Sequence, residues 1–232
     1  MAASPDWRIY SSSQQLATAL ATEVARVLSA AIKDRGTALL AVSGGTTPGL
    51  FFDALSQQPL DWKRVIVTLV DERLVPESSP RSNAALVRSR LLRGKANAAR
   101  LVGLYHKDAN AEEAATAASE ELRDFPMPLD AAILGMGTDG HTASFFPDAG
   151  NLDALLDPDN EALVLPVHAH SAGEPRLTLS LGRLLEARFL ALHIEGAEKR
   201  AVLENALAPG GDLPVSAVFA HAERPVPIYW AG

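Results

Sequence analysis

The residues best placed for chemistry in this chain lie between Leu134 and Pro147, where an imidazole, His141, follows a carboxylate, Asp139, by two positions. Gly135, Gly137 and Gly140 let the backbone come close to whatever those side chains act on. The apolar run Ala131-Ala132-Ile133-Leu134 leads straight in, so the segment reads as a buried strand emptying into a glycine-rich turn that ends in a titratable pair. Ligands of open α/β sheets bind at the carboxyl ends of the strands, which makes the segment a functional candidate. A structural, hydrogen-bonded histidine is the competing reading.

Three further segments carry site-like residues. Ser43-Gly44-Gly45-Thr46-Thr47-Pro48 follows the apolar strand Ala38 to Val42 and opens a helix, with Pro48 where a first-turn proline is tolerated. Two glycines free the backbone to wrap an anion, the helix N-terminus favours negative charge, and three hydroxyls add donors. Phosphate is the natural guest, although a tight turn with a threonine cap also fits. Neither the Walker lysine spacing nor GxGxxG is present, so a nucleoside triphosphate or a dinucleotide is unsupported. Asp71-Glu72-Arg73 closes the apolar strand Val65 to Val70; three charges there suit a crevice lining, or a solvated loop with a surface ion pair. Arg176-Leu177-Thr178-Leu179-Ser180-Leu181 alternates, placing Arg176 on a polar face that is either an anion site or an exposed side of a sheet.

Lys199 and Arg200 fall in the first turn of a helix after the strand Phe189 to Ile194. Cations there oppose the helix dipole by roughly 0.3 to 1 kcal/mol each, a cost that a bound anion reverses and that a screened surface pair tolerates. The other five histidines read as surface or packing residues. His168 and His170 share one side of an extended segment, as metal ligands do, but lack a visible third ligand, so no metal site is expected.

These segments need a scaffold, and the chain alternates strands and helices throughout. The pattern predicts strands at Trp7 to Tyr10, Ala162 to Val167, Leu177 to Leu181 and Val226 to Trp230 besides those above. Helices are predicted from Leu16 to Gly36, Pro48 to Ser56, about Asn83 to Leu92, Asn110 to Arg123 and near Glu198 to Leu207, with loops at Glu77 to Ser82 and Ala208 to Pro214. Continuous apolar strands separated by helices indicate a largely parallel sheet covered on both faces, a modified Rossmann-like α/β fold. At 232 residues and 47% apolar content, one domain over 1-232 is the better expectation. The absence of cysteine excludes disulfides and thiolate catalysis. No stretch resembles a signal peptide or a membrane span, so the chain is expected to be cytoplasmic, with no membrane partner. A formal charge of -7, with basic residues dispersed, argues against nucleic acid.

In order, Ser43 to Pro48, Asp71-Glu72-Arg73-Leu74-Val75-Pro76, Ser82-Asn83, Gly135 to Pro147, Arg176 to Leu179 and Pro214-Val215-Ser216 closely resemble the 6-phosphogluconolactonase family, over nearly the full chain. That family belongs to a larger group with glucosamine-6-phosphate deaminases and isomerases. The resemblance implies hydrolysis of the small-molecule sugar-phosphate lactone 6-phospho-D-glucono-1,5-lactone without metal or organic cofactor. It implies that His141 activates water and that Asp139 orients the imidazole or lies beside it. On the same reading Arg73 is expected to stabilise the substrate or the charge developing at the carbonyl, or to bind phosphate, and Ser43, Gly44, Gly45, Thr46, Thr47, Arg176 and Lys199 are expected to hold the 6-phosphate. The deaminases have His-Ile-Ala-Phe-Asn-Glu-Pro where this chain has His141-Thr142-Ala143-Ser144-Phe145-Phe146-Pro147, so the glutamate supporting their histidine is missing here. A serine hydrolase built on Ser43 lacks the Gly-x-Ser-x-Gly elbow. A noncatalytic sugar-phosphate sensor would keep the phosphate turn without the base.

Overall fold

The computed structural model describes residues 5–232. Ten strands and eight helices follow one another as β1 (Asp6–Tyr10), α1 (Ser13–Arg35), β2 (Ala38–Val42), α2 (Gly49–Ser56), β3 (Val65–Leu69), β4 (Asp71–Arg73), α3 (Asn83–Arg90), β5 (Arg100–Leu101), α4 (Ala111–Arg123), β6 (Ala131–Leu134), α5 (Leu152–Leu155), β7 (Val164–Val167), β8 (Arg176–Leu179), α6 (Leu181–Leu185), β9 (Phe189–Glu195), α7 (Ala197–Ala206), α8 (Pro214–His221) and β10 (Pro227–Ala231). Seven strands form one sheet in the order β1-β10-β9-β6-β2-β3-β5, and every pairing in it is parallel. Every residue of β2, β3 and β6 is buried, as strands covered by helices on both faces must be. This is the α/β architecture that the alternation of apolar runs predicts.

Local chemistry sets the helix ends. Ser12 caps α1 by accepting from the Gln15 N–H, and Gly36 ends it at φ 83°, a left-handed conformation that glycine adopts without strain. Asn110 and Glu113 form a reciprocal capping box on α4. Leu16, Leu20, Val24 and Leu28 form the buried stripe of α1, which packs against α2, β2 and β10.

A second sheet departs from the sequence expectation. β4, β8 and β7 pair antiparallel in that order, and the Val70 peptide joins them to the large sheet by donating to Val42 O and accepting from the Leu179 N–H. The polar face read from Arg176, Thr178 and Ser180 is not exposed: all three are buried. Thr178 Oγ1 accepts from the Ser144 N–H, and Ser180 caps α6 while donating to Ala162 O. The loop expected up to Pro214 ends there in a further helix, α8, with proline in its first turn. No helix among the described residues is long and apolar enough to cross a membrane.

Candidate functional site

In the centre of the large sheet, β2, β3, β6 and β9 run in register: Val42 pairs with Leu69 and Ile133, and Leu134 pairs with Leu192. Their carboxyl ends therefore reach one level, and the segments that follow them enclose a cavity of about 220 Å³.

His141 enters the cavity from the turn after β6. Its Nδ1 lies 2.5 Å from Asp139 Oδ1, and its own backbone N–H donates to the same oxygen at 3.2 Å. A carboxylate only accepts, so Nδ1 carries the proton and Nε2 keeps its lone pair. That second nitrogen has no protein partner among the described residues, on a ring that lines the cavity. Phe146 stacks on the imidazole at 4.4 Å between centroids and 28° between planes. The turn closes through Gly137 N–H to His141 O and Gly140 N–H to Gly137 O, and α8 is tied to it by Val215 N–H to Gly140 O.

The glycine at 137 is a steric requirement. A Cβ there would lie 2.4 Å from Asp139 Oδ1 and from two atoms of the His141 ring, well inside contact. Gly137→Ala is expected to push the pair apart and lower kcat by about tenfold or more, because misplacement of an ångström has effects of that order. Steady-state rates beside a denaturant titration check this; equal losses of kcat and folding stability would deny Gly137 a specific role.

On either side of β6, the Ser43 turn after β2 and α7 after β9 bring further polar groups to the cavity. Ser43 Oγ accepts from Gly135 N–H, joining the two glycine turns. Gly44 lies against the Asn83 amide, so closely that a Cβ would sit 1.8 Å from Asn83 Oδ1; Asn83 Nδ2 in turn donates to Asp71 O. No side chain caps α2, so the threonine-cap reading gives way and its first N–H groups have no side-chain acceptor. Lys199, in the first turn of α7, donates from Nζ to Thr47 Oγ1 at 3.2 Å. Burial pushes its pKa below that of an ordinary lysine, against the pull of Glu195 and Glu198.

The small sheet brings two arginines to the cavity. Arg73 on β4 and Arg176 on β8 are directly opposed in the antiparallel register, an arrangement that repels unless an anion lies between or beside them. Arg73 donates from Nη1 to Arg81 O and Arg176 from Nη2 to Ala172 O, while both Nε atoms are buried without a partner. The Arg176 guanidinium lies 5.3 Å from the centroid of the Phe146 ring. Burial is the main cause that lowers its pKa, and Arg73 adds to it. Asp71, also lining the cavity, accepts from Ser144 Oγ at 2.7 Å. Ala143 reaches the left-handed φ of 52° between His141 and Ser144, a strain of roughly 1 to 2 kcal/mol for an alanine, and the chain there turns Ser144 inward.

Of the residues singled out from sequence, the cavity brings together Ser43, Gly44, Gly45, Thr47, Arg73, His141, Arg176 and Lys199, with Asp139 attached through His141. Thr46 is exposed and does not line it. Glu72 is no crevice residue: it is wholly buried behind Arg73. His193, grouped with packing residues from sequence, lines the cavity. It stands near the carboxyl end of an apolar strand with a carboxylate two positions on, a signal available in the sequence. Asn83 and Ser144 give no such signal, because their contacts are made across the fold, and Phe146 reads locally as a core aromatic although it stacks on His141. His168 is engaged by Glu112, and no three His, Cys, Asp or Glu side chains gather as a metal site among the described residues.

A family model described as "Glucosamine-6-phosphate isomerases/6-phosphogluconolactonase" matches residues 11–228. The chain is 58% identical to a 6-phosphogluconolactonase of Mesorhizobium japonicum, over 99% of this chain and 96% of that one. It is 47% identical to one of Pseudomonas aeruginosa, over 96% and 93%. A crystal structure of a 6-phosphogluconolactonase from Shewanella baltica superposes with a TM-score of 0.93 at 37% identity, covering all of both chains.

Proposed function

Because the chain belongs to the glucosamine-6-phosphate isomerase/6-phosphogluconolactonase family, we propose that the His141 cavity is where it hydrolyses 6-phospho-D-glucono-1,5-lactone, with the imidazole activating water. The chain is a lactone hydrolase of carbohydrate metabolism, producing 6-phosphogluconate in the oxidative pentose phosphate pathway. The observation that carries the site assignment is an imidazole with one nitrogen fixed by a carboxylate and the other open to a cavity flanked by three cations.

In this mechanism a water held at His141 Nε2 attacks the lactone carbonyl carbon as the imidazole takes its proton. Asp139 keeps Nδ1 protonated and steadies the imidazolium. Negative charge gathers on the former carbonyl oxygen, where the buried Nε–H of Arg73 provides a preorganised donor. The intermediate collapses by breaking the bond from the carbonyl carbon to the ring oxygen. That oxygen receives the proton from Nε2 and becomes a hydroxyl, leaving a carboxylic acid that ionises. No covalent nucleophile enters, which fits an activated ester. The Ser43 to Thr47 turn, Lys199 and Arg176 hold the phosphate. We read 1-232 as one sugar-phosphate lactonase domain. The amino-sugar reaction of the wider group is disfavoured because Phe146, rather than a carboxylate, covers the imidazole.

Acid release at constant pH measures the reaction directly. The wild type should accelerate lactone opening well beyond buffer; binding of 6-phosphogluconate without acceleration would leave a sugar-phosphate sensor. Lys199→Ala is expected to raise KM by roughly ten- to hundredfold with kcat little changed, as for loss of a charge-assisted phosphate contact. A fall in kcat with KM unchanged would place Lys199 at the reacting carbon instead.

A further inference from the structure

The cavity holds a second histidine with a carboxylate partner that the hydrolytic mechanism leaves idle. His193, on β9 and only 3% exposed, approaches Glu195 Oε1 with Nε2 at 3.1 Å, and the other oxygen of Glu195 accepts from Ser13 Oγ at the start of α1. A carboxylate accepts only, so Nε2 carries a proton, and Nδ1 has no protein partner among the described residues. The ring lies edge-on to Phe51 of α2, 6.2 Å between centroids, which places it beneath the helix that the Ser43 turn opens. The facing groups are few. Glu195 comes from its own strand and Lys199 from α7, close enough for Glu195 to act on its charge. Phe51 comes from α2. Tyr229 of β10, its partner in register, stays neutral because burial pushes the phenol up to about 12. Asp71, Arg73, Arg176 and His141 line the same cavity.

We propose that His193 is a phosphate ligand: its imidazolium, anchored to Glu195 through Nε2, donates Nδ1–H to the substrate's 6-phosphate beside Lys199 and the Ser43 to Thr47 turn. The proposal rests on the lactonase reading above. With Nε2 protonated, a neutral ring presents the Nδ1 lone pair to the cavity, and that lone pair repels a phosphate oxygen. Phosphate binding therefore draws one proton onto the ring, and the carboxylate behind it compensates the added charge. Glu195 suits that task, since its bond to His193 is the main cause holding it below the usual carboxylate range.

The test compares the wild type with His193→Gln and His193→Asn. Glutamine keeps a donor where Nε2 meets Glu195 but has none at Nδ1; asparagine has a donor near Nδ1. His193→Gln should raise KM for the phosphorylated lactone by roughly ten- to hundredfold, with kcat within about twofold, and His193→Asn should recover part of that loss. Calorimetry with 6-phosphogluconate, in buffers of different ionisation enthalpy at about pH 8, should show the wild type taking up close to one proton more than His193→Gln, since uptake at Lys199 is common to both. Unchanged affinity in His193→Gln, or equal proton uptake by the two proteins, overturns the proposal. So does a parallel fall in kcat and thermal midpoint, which marks a packing role. A wild type that binds 6-phosphogluconate but opens no lactone refutes the hydrolase reading, and the calorimetric comparison still decides the role of His193.

Discussion

Replacing His141 with alanine is expected to lower kcat by about 10²- to 10⁴-fold, or roughly 3 to 5 kcal/mol of transition-state stabilisation, while leaving affinity for 6-phosphogluconate close to that of the wild type. The separation follows from where the contacts lie. The imidazole meets its own turn, Asp139 and Phe146, whereas the proposed phosphate groups come from the Ser43 turn, α7 and β8. Phe146 and the Asp139 carboxylate remain after the substitution, and an alanine fits the partly exposed position without burying an unpaired charge. Acid release under saturating lactone gives kcat, and product inhibition gives the affinity. A variant retaining more than about a tenth of the wild-type kcat would remove His141 from the role of base.

Glu72→Gln is expected to be the most damaging conservative change to folding, at about 2 to 4 kcal/mol. The Glu72 carboxylate is inaccessible to solvent and accepts four hydrogen bonds: from the N–H groups of Arg73, Asn83 and Ala84 and from Ser82 Oγ. Two reach each oxygen. An amide accepts at only one end, so its NH₂ group faces two donors, and buried N–H groups at the start of α3 lose their acceptor. Burial holds the Glu72 pKa above that of a free carboxyl, against these four bonds. The folded state thus binds a proton more readily than the unfolded one. The contribution of this group to stability is largest below the unfolded pKa and declines as pH rises towards the folded value. Urea midpoints of both proteins at neutral pH measure the effect; a difference under about 0.5 kcal/mol would show that the donors find other acceptors.

Glu72 also marks where sequence reading failed. Three consecutive charges after an apolar strand look like a solvent-facing lining, and nothing local signals that the middle one is enclosed by Ser82, Asn83 and Ala84 arriving from ten or more residues away. The parallel sheet was legible because β2, β3, β6 and β9 are apolar runs with helical periodicity between them. The small sheet was not: β4 consists of Asp71, Glu72 and Arg73, without an apolar residue, and β8 alternates as an exposed strand does. Its polar side is instead buried against Ser144 and the cap of α6. For the site, residue type at a strand end identified the imidazole, the glycine turn and the cations. It could not separate Thr46 from Thr47, since one backbone step decides which hydroxyl turns inward. His193 and Glu195, two positions apart on one strand, share a face that their spacing already implies, but the Phe51 ring and the cavity that give the pair its setting arrive only in the folded chain.

The order of the large sheet bears on how the chain is made. Among the described residues, Asp6 to Tyr10 pairs only with Pro227 to Ala231, in parallel and in full register. Synthesis runs from the amino end, so β1 has no neighbour in the sheet until β10 has been made. Closing so long a loop carries a modest extra entropic cost, since that cost grows only with the logarithm of length, but it imposes a sequence of events. The centre, β9-β6-β2-β3, can assemble before β10 exists; the β1 edge cannot. Arg200, whose guanidinium lies 5.2 Å from the Trp7 ring and 4.6 Å from the Trp230 ring, joins both terminal strands to the helix that carries Lys199. Completion of the edge and fixing of that helix thus both wait for β10, and a chain cut short before Pro227 keeps its base and its glycine turns but leaves β1 without a mate.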